Sequence, residues 1–184
     1  MSKKVRGMVV AVMIMAPLAE AQDEAPVFRD RLPDGMVECP KVALAPKVDR
    51  FSGSTSISTS PRASGSPHPL EPHLMWTSEA PDKAMLMFMG VSQRWKYLEC
   101  HTTHILVDGR RLDLPAAGHR GDVLATASVL EQVHLLIPFS TAREIAAARL
   151  VEYKVCNDEF RAPPDFLCEA KALVRAVDER SAKR

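Results

Sequence analysis

Charge of one sign is the first thing this chain lacks: 24 Lys and Arg stand against 23 Asp and Glu, a formal net charge of +1. That balance argues against a nucleic-acid partner and against an anionic membrane surface, since both select a basic patch. No apolar run approaches the ~18 residues of a membrane-spanning helix. There is no C-x-x-C pair, the usual opening of a zinc site. There is no G-x-S-x-G elbow or comparable frame for a nucleophile, and no stretch repeats another. No cofactor is expected. The chain has to be read from its compartment signals, its cysteines and its periodicities.

Residues 1–21 have the three parts of a cleavable secretory signal peptide in order. Lys3, Lys4 and Arg6 form the positive start, Met8 to Ala16 the short apolar region, and Ala19-Glu20-Ala21 the small-residue cleavage site after Pro17. No cysteine follows the apolar region closely, so no lipid anchor is expected. Export to the periplasm or full secretion is the expected location, with no membrane span after cleavage. Removing Lys3, Lys4, Arg6 and Glu20 takes the formal charge from +1 to −1. The 163 residues that remain suffice for one domain with a core of its own.

Cys39, Cys100, Cys156 and Cys168 all lie in that remainder. An even count in an exported chain favours disulfides, with three connectivities open. Cys168 lies on a predicted helix about 200° round from Phe166, away from the apolar stripe. An exposed thiol is reactive, so it is expected to be bonded. The favoured pairing is Cys156 with Cys168 and Cys39 with Cys100.

Residues 22–46, with Pro26, Pro33, Pro40 and Pro46, read as an extended or disordered lead-in held through Cys39. Residues 47–180 read as a single domain, and 181–184 as a disordered tail. Ser54 to Thr59 reads as a polar edge strand, and the Ser/Pro-rich stretch at about 60–72 as a flexible loop. Ala84 to Val91 is apolar on both alternating faces, as in a central strand covered on both sides. Met85, Met87 and Met89 in it read as core packing rather than copper ligands. Asp108-Gly109 is a hairpin turn leading into Arg110 to Leu114. Residues 115–122 read as a loop, and Val123 to Ile137 as one or two strands. Thr141 and Glu144 form a capping box that opens a short helix reaching about Arg149. Val151, Tyr153 and Val155 alternate with Glu152 and Lys154 as a strand does. A turn near Asn157-Asp158 and a strand at Glu159 to Arg161 follow. Pro163-Pro164-Asp165 then starts a long helix with Phe166, Leu167, Ala170, Leu173, Val174 and Val177 at helical spacing. The expected class is α+β: an antiparallel β-sheet or sandwich with the short helix and the long C-terminal helix packed on it.

Trp95-Lys96-Tyr97-Leu98, then Leu106-Val107-Asp108-Gly109-Arg110-Arg111, resemble the middle of a group of uncharacterised exported bacterial proteins. Asp49-Arg50-Phe51 with Thr55-Ser56-Ile57 is similar to that group's opening. The helix at 141–149 followed by Val151-Glu152-Tyr153-Lys154 extends the likeness, which covers roughly residues 48–178. The resemblance implies an exported domain and brings no activity or site with it.

His101 and His104 form an H-x-x-H pair, with His119 and Asp122 as loop residues that could join them on a metal. Residues three apart on a strand point to opposite faces, which speaks against a shared ion. His134 is expected as a packed or surface imidazole. Glu131 shares the parity of Val133, Leu135 and Ile137 and is expected at a strand end, reaching water or an arginine. Arg120-Gly121-Asp122 is too short a motif to carry an assignment. One of Arg110 and Arg111 is expected in a salt bridge at the hairpin tip. No catalytic residue is assigned. The leading expectation is a non-enzymatic exported domain that binds a protein or another envelope component. The alternative is a metal-assisted hydrolase built on His101 and His104, and a purely structural envelope protein is a third class.

Overall fold

The computed structural model describes Cys39, Val42, residues 44–60 and residues 70–183. The expected signal peptide, most of the lead-in, residues 61–69 of the Ser/Pro-rich stretch and Arg184 lie outside the described residues. The described residues all belong to one compact unit, Met36–Arg184.

The class is α+β. In chain order the elements are β1 (Lys47–Val48), β2 (Thr55–Ser58), β3 (Glu71–Thr77), β4 (Lys83–Ser92), β5 (Thr103–Val107), β6 (Arg110–Arg111), β7 (Gly118–Val123), β8 (Val129–Pro138), α1 (Phe139–Ala147), β9 (Val151–Val155), β10 (Asp158–Arg161) and α2 (Pro164–Ser181). They form a six-stranded sheet, β1-β2-β3-β4-β8-β7, and a four-stranded sheet, β10-β9-β5-β6. Every pairing is antiparallel. The long β4–β8 pairing, Lys83↔Pro138 to Ser92↔Val129, is the spine of the larger sheet.

One core joins both sheets and both helices. Leu74, Leu86, Phe88, Val133, Leu135 and Ile137 supply the inner face of the large sheet. Ile145 of α1 and Phe166, Ala170 and Leu173 of α2 pack against it. Phe88 stacks on Tyr153 of the small sheet with ring centroids 4.6 Å apart, and Tyr153 stacks on Phe160 at 5.2 Å. Such pairs add about 0.5–1.5 kcal/mol beyond their burial, so the aromatic column ties the two sheets at one point. The α2 stripe falls where its spacing puts it: Phe166, Leu167, Ala170, Leu173 and Val177 are buried, and Pro164 opens the helix.

Several local expectations are corrected. Residues 115–122 are not one loop, because Gly118–Val123 is an edge strand. Its glycines are seats for rings. A Cβ on Gly118 would lie 2.6 Å from His134 Nε2, and one on Gly121 would run into Trp95 and lie 2.8 Å from the Leu130 carbonyl oxygen. β3 begins at Glu71, inside the stretch read as loop. The capping box does not form. α1 starts at Phe139 with Pro138 as its N-cap and no side-chain cap, and Glu144 instead meets Arg110 at 2.6 Å. Both partners of that hairpin-tip bridge are largely exposed, so it adds at most a fraction of a kcal/mol, about 0–1.

The Asp108-Gly109 turn joins β5 to β6 as expected, with φ of 48° and 80°. Two positive φ values suit the right-handed twist of a two-residue hairpin, and Asp tolerates the first of them. Asp108 also reaches outside its hairpin: its Oδ1 accepts the Arg149 and Leu150 N–H groups at 3.0 and 2.9 Å. The hairpin is thereby fastened to the α1–β9 connection. Asp108→Ala is expected to cost about 1–3 kcal/mol, and Asp108→Asn, which keeps an acceptor and the left-handed tolerance, clearly less. Urea midpoints at unchanged m-value measure both.

Both disulfides differ from the expected pairing. Cys39 is bonded to Cys168 and Cys100 to Cys156, and among the described residues no cysteine is free. Cys168 does face away from the apolar stripe, yet it is only 3% exposed. The chain before β1 covers it: Leu44 packs on the core, and the Val42 carbonyl oxygen accepts from Arg175 Nη2 at 3.5 Å. A helix position turned from the core was thus a docking point for an earlier segment.

Candidate functional site

A groove of about 540 Å³ opens in the small sheet. It arises because a hairpin comes apart. β5 and β6 pair only at Leu106↔Arg111 and Val107↔Arg110, and one further bond runs from Leu112 N–H to the Ile105 carbonyl oxygen at 3.0 Å. Beyond it the arms separate. The 99–102 arm is drawn to β9: the Cys156 N–H donates to the Thr102 carbonyl oxygen at 2.8 Å, and the Cys100–Cys156 disulfide fixes the same point. The other arm runs through Pro115, which has no N–H for a ladder, toward β7.

The split exposes a strand edge. Thr102 and Asp108 make their backbone bonds toward β9 and the Leu150 side, whereas Ile105 bonds toward β6. Antiparallel strands alternate in this way, so Thr103 directs its N–H and C=O into the groove. No described strand pairs with Thr103 there, because β6 reaches only Leu106 and Val107.

Of the metal candidates, His101 and His104 line the groove, and Arg111 Nη2 lies 2.8 Å from His104 Nδ1. A guanidinium only donates, so Nδ1 is the acceptor and the proton of a neutral ring is on Nε2. His101, on the 99–102 arm, leans the other way and stacks on His119, with centroids 6.2 Å apart. Its Nδ1 is buried with no hydrogen-bond partner. His119 is not in a loop. It points inward from β7, where its Nε2 donates to Glu131 Oε1 at 3.2 Å and Trp95 meets its ring edge-on at 6.1 Å. Asp122, three residues on, points to the opposite and exposed face. The structure therefore brings His101 to His119 and leaves His104 and Asp122 elsewhere. Among the described residues no three His, Cys, Asp or Glu side chains are placed to hold a metal ion.

Sequence reasoning found the inward parity of Glu131 but not its role. At 2% exposure it reaches neither water nor an arginine. Its Oε2 accepts the Lys96 N–H and its Oε1 the Tyr97 N–H, each at 2.8 Å. The carboxylate is a clamp on the connection that crosses from the large sheet to the small one. Tyr97, the next buried side chain, donates to Asp158 Oδ2 at 2.7 Å. Burial, with that hydrogen bond adding to it, pushes the phenol far above its ordinary pKa, so it remains a donor. Glu131, His119 and Tyr97 are thus satisfied by hydrogen bonds, whereas His101 Nδ1 is not. Their chemistry is positioning: Glu131 holds the backbone, His119 fills against it, and His101 rests on His119.

No family model matches the chain, and no curated protein matches it. Among the described residues no helix is long and apolar enough to cross a membrane. The two disulfides fit an oxidising compartment.

Proposed function

We propose that this is a non-enzymatic exported domain, periplasmic or secreted, that captures an extended segment of an envelope protein in the split hairpin. The observation that carries the reading is the open edge of β5 beside the groove. Strand addition to such an edge gains main-chain hydrogen bonds for almost any sequence, and neighbouring side chains select among them. His104, Arg111 and Asp113 stand at this groove to do so. The export half of the reading rests on the three-part N-terminus, the paired cysteines and the likeness of the Trp95–Leu98 and Leu106–Arg111 segments to exported bacterial proteins. The hydrolase alternative needs His101 and His104 on one ion; their separate engagements with His119 and Arg111 favour binding instead.

The test is site-specific. A photoreactive residue at Ala116, an exposed position lining the groove, is expected to crosslink an envelope protein in cells. Thr103→Pro removes the groove-facing N–H, spares the β9 ladder and should abolish that crosslink. The purified protein should turn over no generic ester, peptide or phosphate substrate. A crosslink indifferent to Thr103→Pro, or turnover that depends on His101, would overturn the reading.

A further inference from the structure

Met85, Met87 and Met89, read as core from the sequence, lie half-buried on the outer face of the large sheet, and the core takes the side of Ala84, Leu86 and Phe88. The open part of this sheet is its edge. β7 is the last strand in its order, pairs only with β8 among the described residues, and is exposed from Arg120 to Val123. Its centre is the Arg120-Gly121-Asp122 tripeptide.

Hydrogen-bond alternation decides which groups face outward. The Leu124 N–H donates across the hairpin to the Ser128 carbonyl oxygen at 2.8 Å. Residues two apart on an antiparallel strand bond to the same side. Asp122, Arg120 and Gly118 therefore bond to β8, and Val123, Gly121 and His119 turn their N–H and C=O groups to the open side. The Val123 N–H is taken up locally, donating to Asp122 Oδ1 of its own strand at 2.8 Å.

Folded proteins blunt such an edge with proline, a bulge or lysine. β7 has none of these. Its register with β8 runs unbroken from Gly118↔His134 to Val123↔Val129, and its two charges are of opposite sign, one on each side of a glycine. That order is its own complement. When the strand is laid antiparallel on a copy of itself about Gly121, Arg120 stands opposite Asp122 of the second copy, and Asp122 opposite Arg120. His119 and Val123 stand opposite each other in the same way. The outward-facing residues then all fall in hydrogen-bonded positions of the new ladder. The charge pairs fall in the non-hydrogen-bonded positions, where side chains are closer. An unrelated strand would carry this charge order only by chance, so the match selects a second copy.

The inner side supplies apolar cover. Trp95 lies against Gly121, where a Cβ would run into its ring, and it is 38% exposed. Val123 is 60% exposed. Across the new ladder the two Gly121 residues stand about 5.5 Å apart. That sets each Trp95 beside its counterpart, and Val123 beside the second copy's His119. Glycine at the axis is what admits the ring this near the edge.

We infer that β7 is a self-association edge: two copies of the chain pair β7 with β7, antiparallel about a two-fold axis at Gly121, and so join their large sheets. The pairing is independent of segment capture in the groove, which belongs to the small sheet.

Sedimentation equilibrium of the purified full-length chain, from about 1 μM to about 1 mM, covers the range of small, weak interfaces. The mass is expected to rise from 20.3 kDa toward twice that value. Arg120→Asp sets carboxylate against carboxylate, and Asp122→Arg sets guanidinium against guanidinium, so each alone should stay at the single-chain mass. Arg120→Asp/Asp122→Arg restores both pairs in reverse and should recover the dimer. Mixed in equal amounts, the two single variants are complementary and should pair with each other. Both positions are exposed in the single chain, so these exchanges act on association, and circular dichroism should match the parent in every case. A parent that keeps the single-chain mass throughout, a dimer that both single variants retain, or a folded double variant and a mixture that both stay monomeric would overturn the edge.

Discussion

Glu131→Ala is expected to lower the unfolding free energy by about 3–5 kcal/mol, a large effect for one polar side chain. The reason lies in what depends on it. Two backbone N–H groups, of Lys96 and Tyr97, and one imidazole N–H have this carboxylate as acceptor, in a place where only 2% of the residue meets water. Each buried donor left unpaired costs about 1–3 kcal/mol, and hydrogen bonds to a charged group are stronger than neutral ones. Glu131→Gln keeps one oxygen but sets an amide N–H₂ against a backbone N–H, so about 1.5–3 kcal/mol is expected. Urea denaturation gives the magnitudes. Hydrogen exchange gives the mechanism, because the Lys96 and Tyr97 amides should lose protection first. Asp122→Ala, on the exposed face of the neighbouring strand, should stay within about 0.5 kcal/mol of the parent. Equal effects at the two acids would sink the clamp.

The second large effect is expected from the disulfides. Cys39–Cys168 closes 129 residues and Cys100–Cys156 closes 56. Loop-closure entropy puts each at roughly 4–5 kcal/mol, and measured removals cluster at about 2–5. The two pairs should then separate by readout. Cys39→Ser/Cys168→Ser frees the chain ahead of β1, so proteolysis near Val42 and Leu44 should appear along with the lowered midpoint. Cys100→Ser/Cys156→Ser releases one arm of the split hairpin, so crosslinking through Ala116 should fall as well. Removing both approaches the whole ~5–15 kcal/mol by which a domain is stable. A chain whose midpoint is unchanged by full reduction would refute the pairing.

The legible parts of the sequence were those where a local pattern and the fold ask for the same thing. The alternation at Val151, Tyr153 and Val155, the Asp108-Gly109 turn and the α2 stripe each have one physical reading, and each appears in place. β7 was hidden because Gly118 and Gly121 serve rings that arrive from elsewhere in the chain, His134 and Trp95. The first residues of β3 were hidden by Pro72. The methionines of β4 read as core because periodicity shows that both faces are apolar, but not which face is covered. At the groove the residues were legible and their grouping was not. His101 and His104 are three apart in sequence, and the partners that separate them, His119 and Arg111, are set by tertiary pairing. Glu131 was found by parity, but the two amides it holds lie 34 and 35 residues away.

The connectivity of the disulfides has a consequence for the order of events in making the molecule. The smaller ring lies wholly inside the larger: 100–156 is enclosed by 39–168. A chain that emerges from its N-terminus presents Cys39 and then Cys100 long before either native partner exists. Oxidation in order of appearance would join them, and would then join Cys156 to Cys168, which is the pairing that sequence proximity suggests. The native pattern therefore requires that oxidation wait for α2, or that an early bond between Cys39 and Cys100 be undone by thiol–disulfide exchange. Because Cys168 ends up 3% exposed beneath the chain that bonds to it, that exchange has to finish before the strap closes.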